Sequence, residues 1–489
     1  MLPNGQIPAF HARRLGSRRW ALKHGDDIVT WGELDQRSTR RAWALKAQGV
    51  RKDDLVTISL PNGAALYELT FALWKLGATP HVVSWRLPGA ELRAILEVAR
   101  PRLLVAADSS LRASLGDRPA EFGLSEGSDG QLPEAVSTYW KAMSSGGSTG
   151  RPKIIVDHTP SLADPDEVVV GIPADSVVLN PGPLYHNAPF TVTHKALFRG
   201  SSIVGMGRFD AEESLELIRA NRVAWVNLVP TMMLRIWRLP ETIRNSYDLS
   251  CLTQVWHMAA PMPIWLKEAW IEWLGPDRIW ELYGGTERQG LTVISGAEWL
   301  EHKGSVGRPV GCSVRILNDA GEEAPSGEVG EIFLLPQTGP GSTYHYLGAE
   351  ARRAGEWESI GDFGWLDADG YLYIADRRTD LIMAGGANIY PAEVENALME
   401  HPGVEVAVVI GLPHEDLGAS VHAIVKPVAD GEALDEKELV EFVGQRLVRY
   451  KIPRSFEFTS ETLRDDAGKV NRSQLRHERL ARARSDRLT

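Results

Sequence analysis

The sequence predicts an α/β fold: a large N-terminal domain of two doubly wound α/β subdomains plus a β-barrel-like subdomain, then a small α+β C-terminal domain. Strand and helix signals alternate with short turns through the first third of the chain, and a second alternating run covers residues 175–280, which is typical of parallel doubly wound sheets. Beyond Tyr283, short strands are separated by Gly, Asn and Asp, which indicates a barrel or meander. From residue 379 onward, strand and helix signals mix within a short unit, which indicates a separate small domain.

The first alternating run opens with a helix that Thr30 caps through its hydroxyl group. A strand over 55–60 follows and ends at the turn-forming residues 61–63. The next predicted elements are a helix to Leu76, a strand over 80–84, a helix over 90–99 and a strand over 103–106. Each strand is thus followed by a helix, as a parallel sheet requires.

Strands over 314–317 and 330–335 and a turn at Asp369-Gly370 build the barrel-like part. In the last unit, a short strand over 381–383 precedes a helix that begins at Pro391, because proline suits the first helical position. Strands over 406–410 and 421–425 and a helix over 434–448 complete it. We therefore expect domains at 1–378 and 379–489.

The bulk composition describes a globular protein of two to four domains, with 489 residues, 43% hydrophobic and 24% charged. The net charge of −11 argues against a nucleic-acid partner. Two cysteines, Cys251 and Cys312, provide neither a disulfide framework nor a Cys-x-x-Cys metal pair. No signal peptide stands out in residues 1–20, and charged residues interrupt the most apolar window, 64–85. We expect a cytoplasmic protein without a membrane span.

The arginine-rich tail, residues 472–487, also carries acidic residues. A solvated helix face is expected there in preference to a basic recognition tail.

The segment Ser144–Lys153 packs three glycines and four hydroxyl residues into ten positions and ends in Pro-Lys. Glycines let consecutive N–H groups turn inward, and hydroxyls and a lysine add donors and charge, so this loop suits polyphosphate. Its spacing is not that of the common P-loop. A flexible linker is the alternative, but the apolar residues 154–156 that follow favour a strand instead.

Four further motifs follow the phosphate loop in order. They are Tyr283-Gly-Gly-Thr-Glu287, Gly361-Asp362-Phe363-Gly364, Gly385-Gly386 before Pro391, and Gly468-Lys469. Together they resemble the adenylate-forming acyl-CoA synthetases, whose relatives include nonribosomal adenylation domains and beetle luciferases. The resemblance runs from Thr30 to Arg472. It implies that a carboxylic acid and ATP form acyl-AMP and pyrophosphate, after which the acyl group moves to a thiol.

The resemblance also implies roles for residues of these motifs. The β- and γ-phosphates would be held by Ser145, Gly147, Ser148, Thr149, Gly150 and Lys153. The nucleotide would contact Ala259, Ala260, Pro261, Glu281, Leu282, Tyr283, Asp362 and Arg377, with Tyr283 on adenine and Asp362 on the ribose. Thr286 would bond the α-phosphate, Glu287 would bind Mg²⁺, and Lys469 would bridge the carboxylate and the α-phosphate. From the residues alone, Asp362 could instead cap a turn and Glu287 could pair with Arg288.

The second half-reaction would use other parts of the small domain. By the resemblance, Gly385 and Gly386 pass close to the thiol arm of coenzyme A, and the domain is mobile, rotating about a hinge at Thr379 between the two steps. The family usually has Asp or Lys at this hinge. A hinge needs only a backbone that can rotate.

The acid pocket is expected to include Tyr185, His186, Trp225, Met232, Trp256, His257 and Met258. Their apolar and aromatic bulk predicts a hydrophobic acid, aromatic or polycyclic. The resemblance implies that His186 is the gate between this pocket and the thiol tunnel. By the resemblance, amino-acid-activating relatives carry an aspartate in the segment that corresponds to 185–190. No acidic residue lies there in this chain, which disfavours an α-amino acid substrate.

An acid–CoA ligase using ATP, Mg²⁺ and coenzyme A is therefore expected, as a monomer or homodimer. Two alternatives remain open: a stand-alone enzyme that loads a carrier protein's phosphopantetheine, and a medium- or long-chain fatty acyl-CoA synthetase. A non-catalytic nucleotide binder is disfavoured because Lys153 and Lys469 are both present.

Overall fold

A computed structural model describes residues 1–107, 109, 120–122, 126–145, 152–377, 380–384, 387–414, 416–429, 434–465 and 468–485. The chain forms a large N-terminal domain with two extended sheets and a small C-terminal domain with a sheet of its own. The predicted fold class is confirmed. In the part of the chain described here, no helix combines the length and apolar character that crossing a membrane requires.

The described residues of the first region form four α-helices and ten strands. The helices are α1 (Ile7–Leu15), α2 (Trp31–Ala47), α3 (Ala64–Lys75) and α4 (Gly89–Ala99). The strands are β1 (Leu2–Pro3), β2 (Trp20–His24), β3 (Asp27–Thr30), β4 (Leu55–Ser59), β5 (Thr79–Val82), β6 (Leu103–Ala106), β7 (Ala120–Phe122), β8 (Ala142–Ser145), β9 (Lys153–Asp157) and β10 (Leu162–Ala163). Strands β7, β6, β4, β5 and β8 form a parallel array, and β9 joins β8 antiparallel.

The local signals in this region act as predicted. The Thr30 hydroxyl accepts a hydrogen bond from the Glu33 backbone N–H at 3.2 Å, and the Glu33 carboxylate accepts one from the Thr30 N–H at 2.8 Å. These two bonds satisfy donors that the first turn of α2 would otherwise leave unpaired. Helix α3 is buried along its length except at Ala65.

The second region, residues 177–301, forms a second sheet that is parallel except for its last strand, Leu291–Ser295. Its strands are β11 (Val177–Asn180), β12 (Ser202–Gly205), β13 (Trp225–Leu228), β14 (Gln254–His257), β15 (Ile279–Gly284) and β16 (Leu291–Ser295). Its helices are α5 (Asn187–Phe198), α6 (Ala211–Asn221), α7 (Pro230–Trp237), α8 (Glu241–Arg244), α9 (Ile264–Leu274) and α10 (Gly296–Glu301). Strands β15, β14, β13, β11 and β12 run parallel, and β2 from the N-terminal segment pairs with β12.

The third region is antiparallel. Its strands are β17 (Ser305–Val310), β18 (Cys312–Leu317), β19 (Gly330–Pro336), β20 (Tyr344–Leu347), β21 (Arg352–Ala354), β22 (Trp357–Ser359), β23 (Asp362–Leu366) and β24 (Leu372–Arg377). Strand β17 pairs with β16, so this subdomain continues the second sheet. Strand β20 instead pairs with β9 and forms the edge of the first sheet.

In the part of the small domain that the structure describes, the chain forms a hairpin, a three-stranded sheet and three α-helices. They are β25 (Ile382–Ala384), β26 (Ala387–Ile389), α11 (Pro391–Met399), β27 (Val404–His414), β28 (Gly418–Pro427), α12 (Glu436–Gly444), β29 (Ser455–Phe458) and α13 (Arg472–Ser485). Pro391 occupies the first turn of α11, as predicted. Val394, Leu398 and Val409 are fully buried in the core of this domain.

The arginine-rich tail forms a helix, α13, which has an exposed face that includes Arg476 and His477, but two of its arginines turn towards the small domain. Arg472 and Arg479 are both largely buried. Arg479 donates to Glu457 at 2.7 Å, and Arg472 donates to Glu395 at 2.6 Å. The helix therefore packs on the small domain through ion pairs that composition alone does not reveal.

Candidate active site

A cleft of about 2390 Å³ lies where the two sheets and the small domain meet. The segments that follow β13, β14 and β15 line it. The carboxyl ends of parallel strands open on one edge of a sheet, which is where ligands of α/β proteins bind. Most of the predicted nucleotide residues lie along this wall, namely Ala259, Ala260, Pro261, Glu281, Leu282, Tyr283, Thr286 and Glu287.

Glu287 lies at the inner end of the cleft and is only 5% exposed. Its Oε1 accepts hydrogen bonds from Lys153 Nζ at 3.2 Å and from Tyr346 Oη at 2.6 Å. The Lys153 ammonium also lies 4.2 Å from the centre of the Tyr346 ring. Burial and the neighbouring carboxylate raise the pKa of Tyr346 far above its ordinary value, so the phenol stays a donor. The alternative pairing of Glu287 with Arg288 is absent among the described residues, because Arg288 pairs with Asp157.

Asp362 is buried at the start of β23. Its Oδ2 accepts a hydrogen bond from Tyr283 Oη at 2.8 Å. The predicted adenine residue and the predicted ribose residue are thus hydrogen-bonded to each other. Arg377 is the backbone partner of Asp362 in the ladder between β23 and β24, and its side chain lies outside the described part.

The strand-turn after β14 has an unusual backbone. Ala259 has a φ of 76°, in the left-handed region that side chains other than glycine rarely adopt. Such strain persists where surrounding structure imposes it, often at ligand sites. Ala259, Ala260 and Pro261 all border the cleft.

Lys469 lies on a loop of the small domain that faces the same cleft. The preceding Gly468 has a φ of 75°. A Cβ on Gly468 would lie 3.1 Å from Thr231 Oγ1 and 3.7 Å from Val229 Cγ2, so this loop packs closely on the N-terminal end of α7. Arg238, beyond the other end of α7, donates to the carbonyl of Glu405 at 2.9 Å. The small domain is therefore held with the lysine loop against the large domain.

The family described as AMP-binding enzyme matches residues 10–346, and the AMP-binding enzyme C-terminal domain matches residues 393–469. This chain belongs to the AMP-binding enzyme family. The predicted family and the predicted enzyme class, an AMP-forming acid–thiol ligase, are confirmed.

The relatives of this AMP-binding enzyme match it over nearly its full length. A feruloyl-CoA synthase from Amycolatopsis sp. is 34% identical, over 96% of this chain and 98% of the relative. A 2-succinylbenzoate–CoA ligase from Bacillus licheniformis is 31% identical, over 94% of this chain and 96% of the relative. The structure of o-succinylbenzoate CoA synthetase (MenE) from Bacillus subtilis with its acyl-adenylate intermediate is 27% identical, has a TM-score of 0.81, and is covered over 97% of this chain and 98% of that one.

In this AMP-binding enzyme, the predicted phosphate loop connects β8 to β9, which pair antiparallel. Gly147, Ser148, Thr149 and Gly150 lie outside the described residues, as does the side chain of Ser145. The base of this hairpin is described. There the Ser144 hydroxyl lies 2.8 Å from His81 Nε2.

Two buried charges, Lys141 and Asp157, flank the base of the same hairpin. The Lys141 side chain is 0% exposed, and its Nζ donates to Thr191 Oγ1 at 2.7 Å and to Asn187 Oδ1. Its Nζ lies 3.9 Å from Asp157 Oδ2, and Asp157 in turn accepts from Arg288 at 3.0 Å. Burial lowers the pKa of Lys141 from 10.5 to about 7. Burial alone would raise the pKa of Asp157, but Lys141 and Arg288 outweigh it and hold it below its ordinary value.

These contacts connect the hairpin to two other segments beside the cleft, the start of α5 and the segment that contains Glu287. Asn187 and Thr191 belong to the first turns of α5, directly after His186. Arg288 follows Glu287 in the chain. The phosphate-loop hairpin is thus anchored to the expected acid gate on one side and to the Glu287 segment on the other.

Glu281 was expected to contact the nucleotide, but its carboxylate forms a buried ion pair with Lys267. His257 Nε2 lies 3.6 Å from the same carboxylate. Burial lowers the pKa of His257 well below 6.5, so this imidazole is neutral. Glu281 is therefore a buried residue that also borders the cleft.

Three of the seven expected acid-pocket residues line the cleft, and the other four do not. His186, Met232 and Met258 line the cleft. Tyr185 is half-buried and packs against the core, with its ring centre 4.7 Å from that of His186. The expectation was wrong for Trp225, Trp256 and His257, which lie within the protein and do not border the cleft.

The two tryptophans have structural roles instead. Trp225 donates to the carbonyl of Val170 at 3.0 Å, and Trp256 stacks on Trp280 with ring centres 5.4 Å apart. Both sit on strands β13 and β14, which are covered on both faces. Strands of that kind carry apolar residues on the two sides of the sheet, so their aromatic character does not identify a pocket.

Tyr346, Lys141 and Asp157 were not identified from the sequence. Tyr346 reaches Glu287 only because β20 crosses to the first sheet, where it pairs with β9. Lys141 could have been found from the sequence, because it lies in an otherwise apolar segment before the phosphate loop. A lysine buried in such a segment must have a polar partner. The predicted hinge Thr379 and the predicted thiol-loop residues Gly385 and Gly386 lie outside the described residues.

Proposed function

We propose that this enzyme is an ATP-dependent carboxylic acid–CoA ligase that acts on a hydrophobic aromatic acid through an acyl-AMP intermediate. The observation that carries the proposal is the convergence of three units on one cleft. These are Glu287 with Lys153, Asp362 with Tyr283, and the loop of Lys469 from the small domain. They supply positive charge, a ribose acceptor and a mobile cation, which an attack of a carboxylate on an anionic phosphate needs.

In the first half-reaction, a carboxylate oxygen attacks the α-phosphorus of ATP and pyrophosphate leaves. Asp362 would accept hydrogen bonds from the ribose hydroxyls, while Tyr283, held by its bond to Asp362, would stack on adenine. Thr286 would donate to the α-phosphate. Lys469 would bridge the attacking carboxylate and the α-phosphate oxygens, so that negative charge developing between them is stabilised.

Magnesium fits the donor set at Glu287. Among the described residues no group of three acidic, histidine or cysteine side chains gathers as a metal cage. A single carboxylate combined with phosphate oxygens is the usual protein share of Mg²⁺ binding with nucleotides. Glu287 would hold the ion, and Lys153 and Tyr346 would orient its carboxylate. Bound there, Mg²⁺ neutralises triphosphate charge and favours departure of pyrophosphate.

In the second half-reaction, the thiol of coenzyme A attacks the acyl carbonyl and AMP leaves. We propose that the boundary between domains lies at 378/379, with Thr379 as the hinge, and that Gly385 and Gly386 border the thiol arm. Lys469 already faces the cleft through the close packing of Gly468 on Thr231. The arrangement seen here therefore suits adenylation, and the thiol step would follow a rotation of the small domain.

The substrate class rests on the cleft wall near His186. Val192, Met232 and Met258 contribute apolar surface there. The two lysines on that side are both paired, Lys141 as described above and Lys195 with Glu167 at 2.9 Å. A hydrophobic acid with one carboxylate suits this wall. The 34% identical relative, named feruloyl-CoA synthase, supports an aromatic acid.

The test is a panel of acids assayed for AMP and thioester release with ATP, Mg²⁺ and coenzyme A. The panel contains ferulate, 4-coumarate, 2-succinylbenzoate, a polycyclic acid and palmitate. We expect the highest kcat/KM with an aromatic monocarboxylate. Preference for palmitate would contradict the substrate class, and transfer only to a phosphopantetheinylated carrier protein would contradict coenzyme A as the acceptor.

Lys469→Ala tests the chemistry independently of the acid. It should lower acid-dependent pyrophosphate exchange by several orders of magnitude, because one aligned charge contributes several kcal/mol in a site shielded from water. Thioester formation from preformed acyl-AMP should remain. Equal loss of both half-reactions would contradict the role given to Lys469.

A further inference from the structure

A buried carboxylate in the small domain, that of Glu395 on α11, joins the two arginines that flank the Lys469 loop. Glu395 is 3% exposed. Its Oε2 accepts from Arg464 at 2.9 Å and its Oε1 accepts from Arg472 at 2.6 Å. Oε1 also accepts from the backbone N–H of Val409 at 2.9 Å. One carboxylate thus holds both ends of the segment 464–472.

Each arginine makes a second contact that fixes the loop further. Arg464 Nη1 donates to the carbonyl of Gly468, the residue before Lys469, at 3.1 Å. Arg472 Nη1 donates to Asp380 Oδ2 at 2.8 Å. Within the loop, the backbone N–H of Lys469 donates to Asp465 Oδ1 at 2.8 Å. The backbone at Lys469 is therefore fixed relative to α11 and to the start of the small domain.

The charge of Glu395 is essential to this arrangement. Burial alone would raise the pKa of its carboxyl, but Arg472 and Arg464 outweigh burial and hold the pKa below its ordinary value. The carboxylate stays ionised at neutral pH. Removing its charge would leave two largely buried guanidinium groups without their shared acceptor, and these would seek other partners.

The loop needs such anchoring because its task is a matter of position. A lysine has a flexible stem, and only a fixed backbone directs its ammonium to one point. Gly468 packs against Thr231 with little clearance, so a displaced loop would meet α7 instead of fitting beside it. Displacement of a reacting group by about 1 Å can lower a rate about 100-fold.

We propose that Glu395 is a positioning residue for adenylation, which acts by holding Arg464 and Arg472 and thereby the backbone of Lys469. This inference rests on the proposed role of Lys469. It assigns Glu395 no contact with substrate. Arg472 also pairs with Asp380, which connects the end of the lysine segment to the start of the small domain.

The test is Glu395→Gln, which keeps the shape of the side chain and removes its charge. Acid-dependent pyrophosphate exchange should fall by about 100-fold in kcat, with the KM values for ATP and acid changed by less than about threefold. Thioester formation from isolated acyl-AMP and coenzyme A should stay within about threefold of the wild type. Equal loss of both half-reactions would overturn the proposal, because it would show a general structural role.

A double variant identifies whether Glu395 acts through the lysine. In a Lys469→Ala background, Glu395→Gln should cause no further loss of exchange, because the group that it positions is already gone. An additional loss of the full size would overturn the proposal. If Lys469→Ala alone keeps exchange, the role proposed for Lys469 fails. If Lys469→Ala lowers exchange and the two effects add, only this inference fails.

Two further variants provide a matched control and a second test of the same contacts. Glu393→Gln is the matched control, because Glu393 lies on the same helix and pairs with Lys451 at 2.6 Å instead of with the loop; both half-reactions should be unchanged. Arg464→Lys keeps the positive charge beside Glu395 but loses the guanidinium group that also donates to the carbonyl of Gly468. This variant tests the proposal if Glu395→Gln does not fold. It should lower exchange at least tenfold and spare thioester formation. Unchanged exchange in folded Arg464→Lys would overturn the proposal.

Discussion

Lys141 should make the stability of the large domain depend on pH, and the sign of that dependence follows from its burial. Its ammonium is fully enclosed at the base of the phosphate-loop hairpin, and burial lowers its pKa from 10.5 to about 7. Between these two values the folded protein holds Lys141 neutral, while the unfolded chain holds it protonated. Folding therefore releases a proton, and raising the pH favours the folded state.

The magnitude follows from the size of the shift. Each pH unit in this window adds about 1.4 kcal/mol to the free energy of unfolding. From pH 7.5 to pH 9.5 the contribution of Lys141 rises by about 2.5 kcal/mol. Below pH 7 the group is protonated in both states, and its destabilising effect is fully present.

The perturbation is Lys141→Met, which keeps the length of the side chain and cannot ionise. Thermal unfolding of the wild type and the variant at pH 7.5 and 9.5 gives the difference in Tm at each pH. The Tm of the wild type should rise by several degrees relative to that of the variant as the pH rises. The difference reports on Lys141 because every other titrating group is common to both proteins. Lys303→Met, which changes an exposed lysine, should follow the wild type at both values. An equal pH slope in wild type and Lys141→Met would refute the reasoning and show that Asp157 keeps the ammonium charged.

Three further outcomes are expected. Tyr283→Phe removes the hydrogen bond to Asp362 and should raise the KM for ATP in pyrophosphate exchange by about threefold to tenfold, with kcat nearly unchanged; an unaltered KM would show that the bond does not prepare the nucleotide site. Gly386→Leu should keep pyrophosphate exchange and lose thioester formation, since a side chain there would obstruct the thiol arm; collapse of exchange would place that loop at the nucleotide. Thr379→Pro should trap one domain orientation because proline fixes φ, retaining adenylation and strongly slowing the thiol step; a folded variant with both rates unchanged would place the pivot elsewhere.

Local signals in the sequence predicted the elements well. The cap at Thr30 and the first-turn proline of α11 act through neighbours only three or four residues away, so a linear pattern contains all the information they need. The same holds for the glycine-rich motifs that led to the family. Their chemistry lies in consecutive residues, and Glu287 and Asp362 do border one cleft.

Features that depend on distant pairing could not be predicted in this way. Tyr346 lies 193 residues from Lys153, to which its hydroxyl is bonded, and no local pattern places β20 beside β9. The burial of Arg472 and Arg479 depends on acids from other elements of the small domain. Trp225 and Trp256 were wrongly assigned to the pocket. An aromatic residue on a strand does not itself indicate whether its side chain faces a cleft or the neighbouring elements of the protein.

Neither large sheet is built from one continuous stretch of chain, and this affects how the protein can be synthesised and divided. Strands β2 and β3, near the start of the chain, belong to the second sheet, and β20 provides the edge of the first. On the ribosome, β9 therefore presents an open hydrogen-bonding edge until Tyr344–Leu347 has emerged, and open edges invite pairing between chains. We expect fragments that end before Tyr344 to aggregate. Two complementary fragments should reassemble into active enzyme only when the cut falls after Leu347.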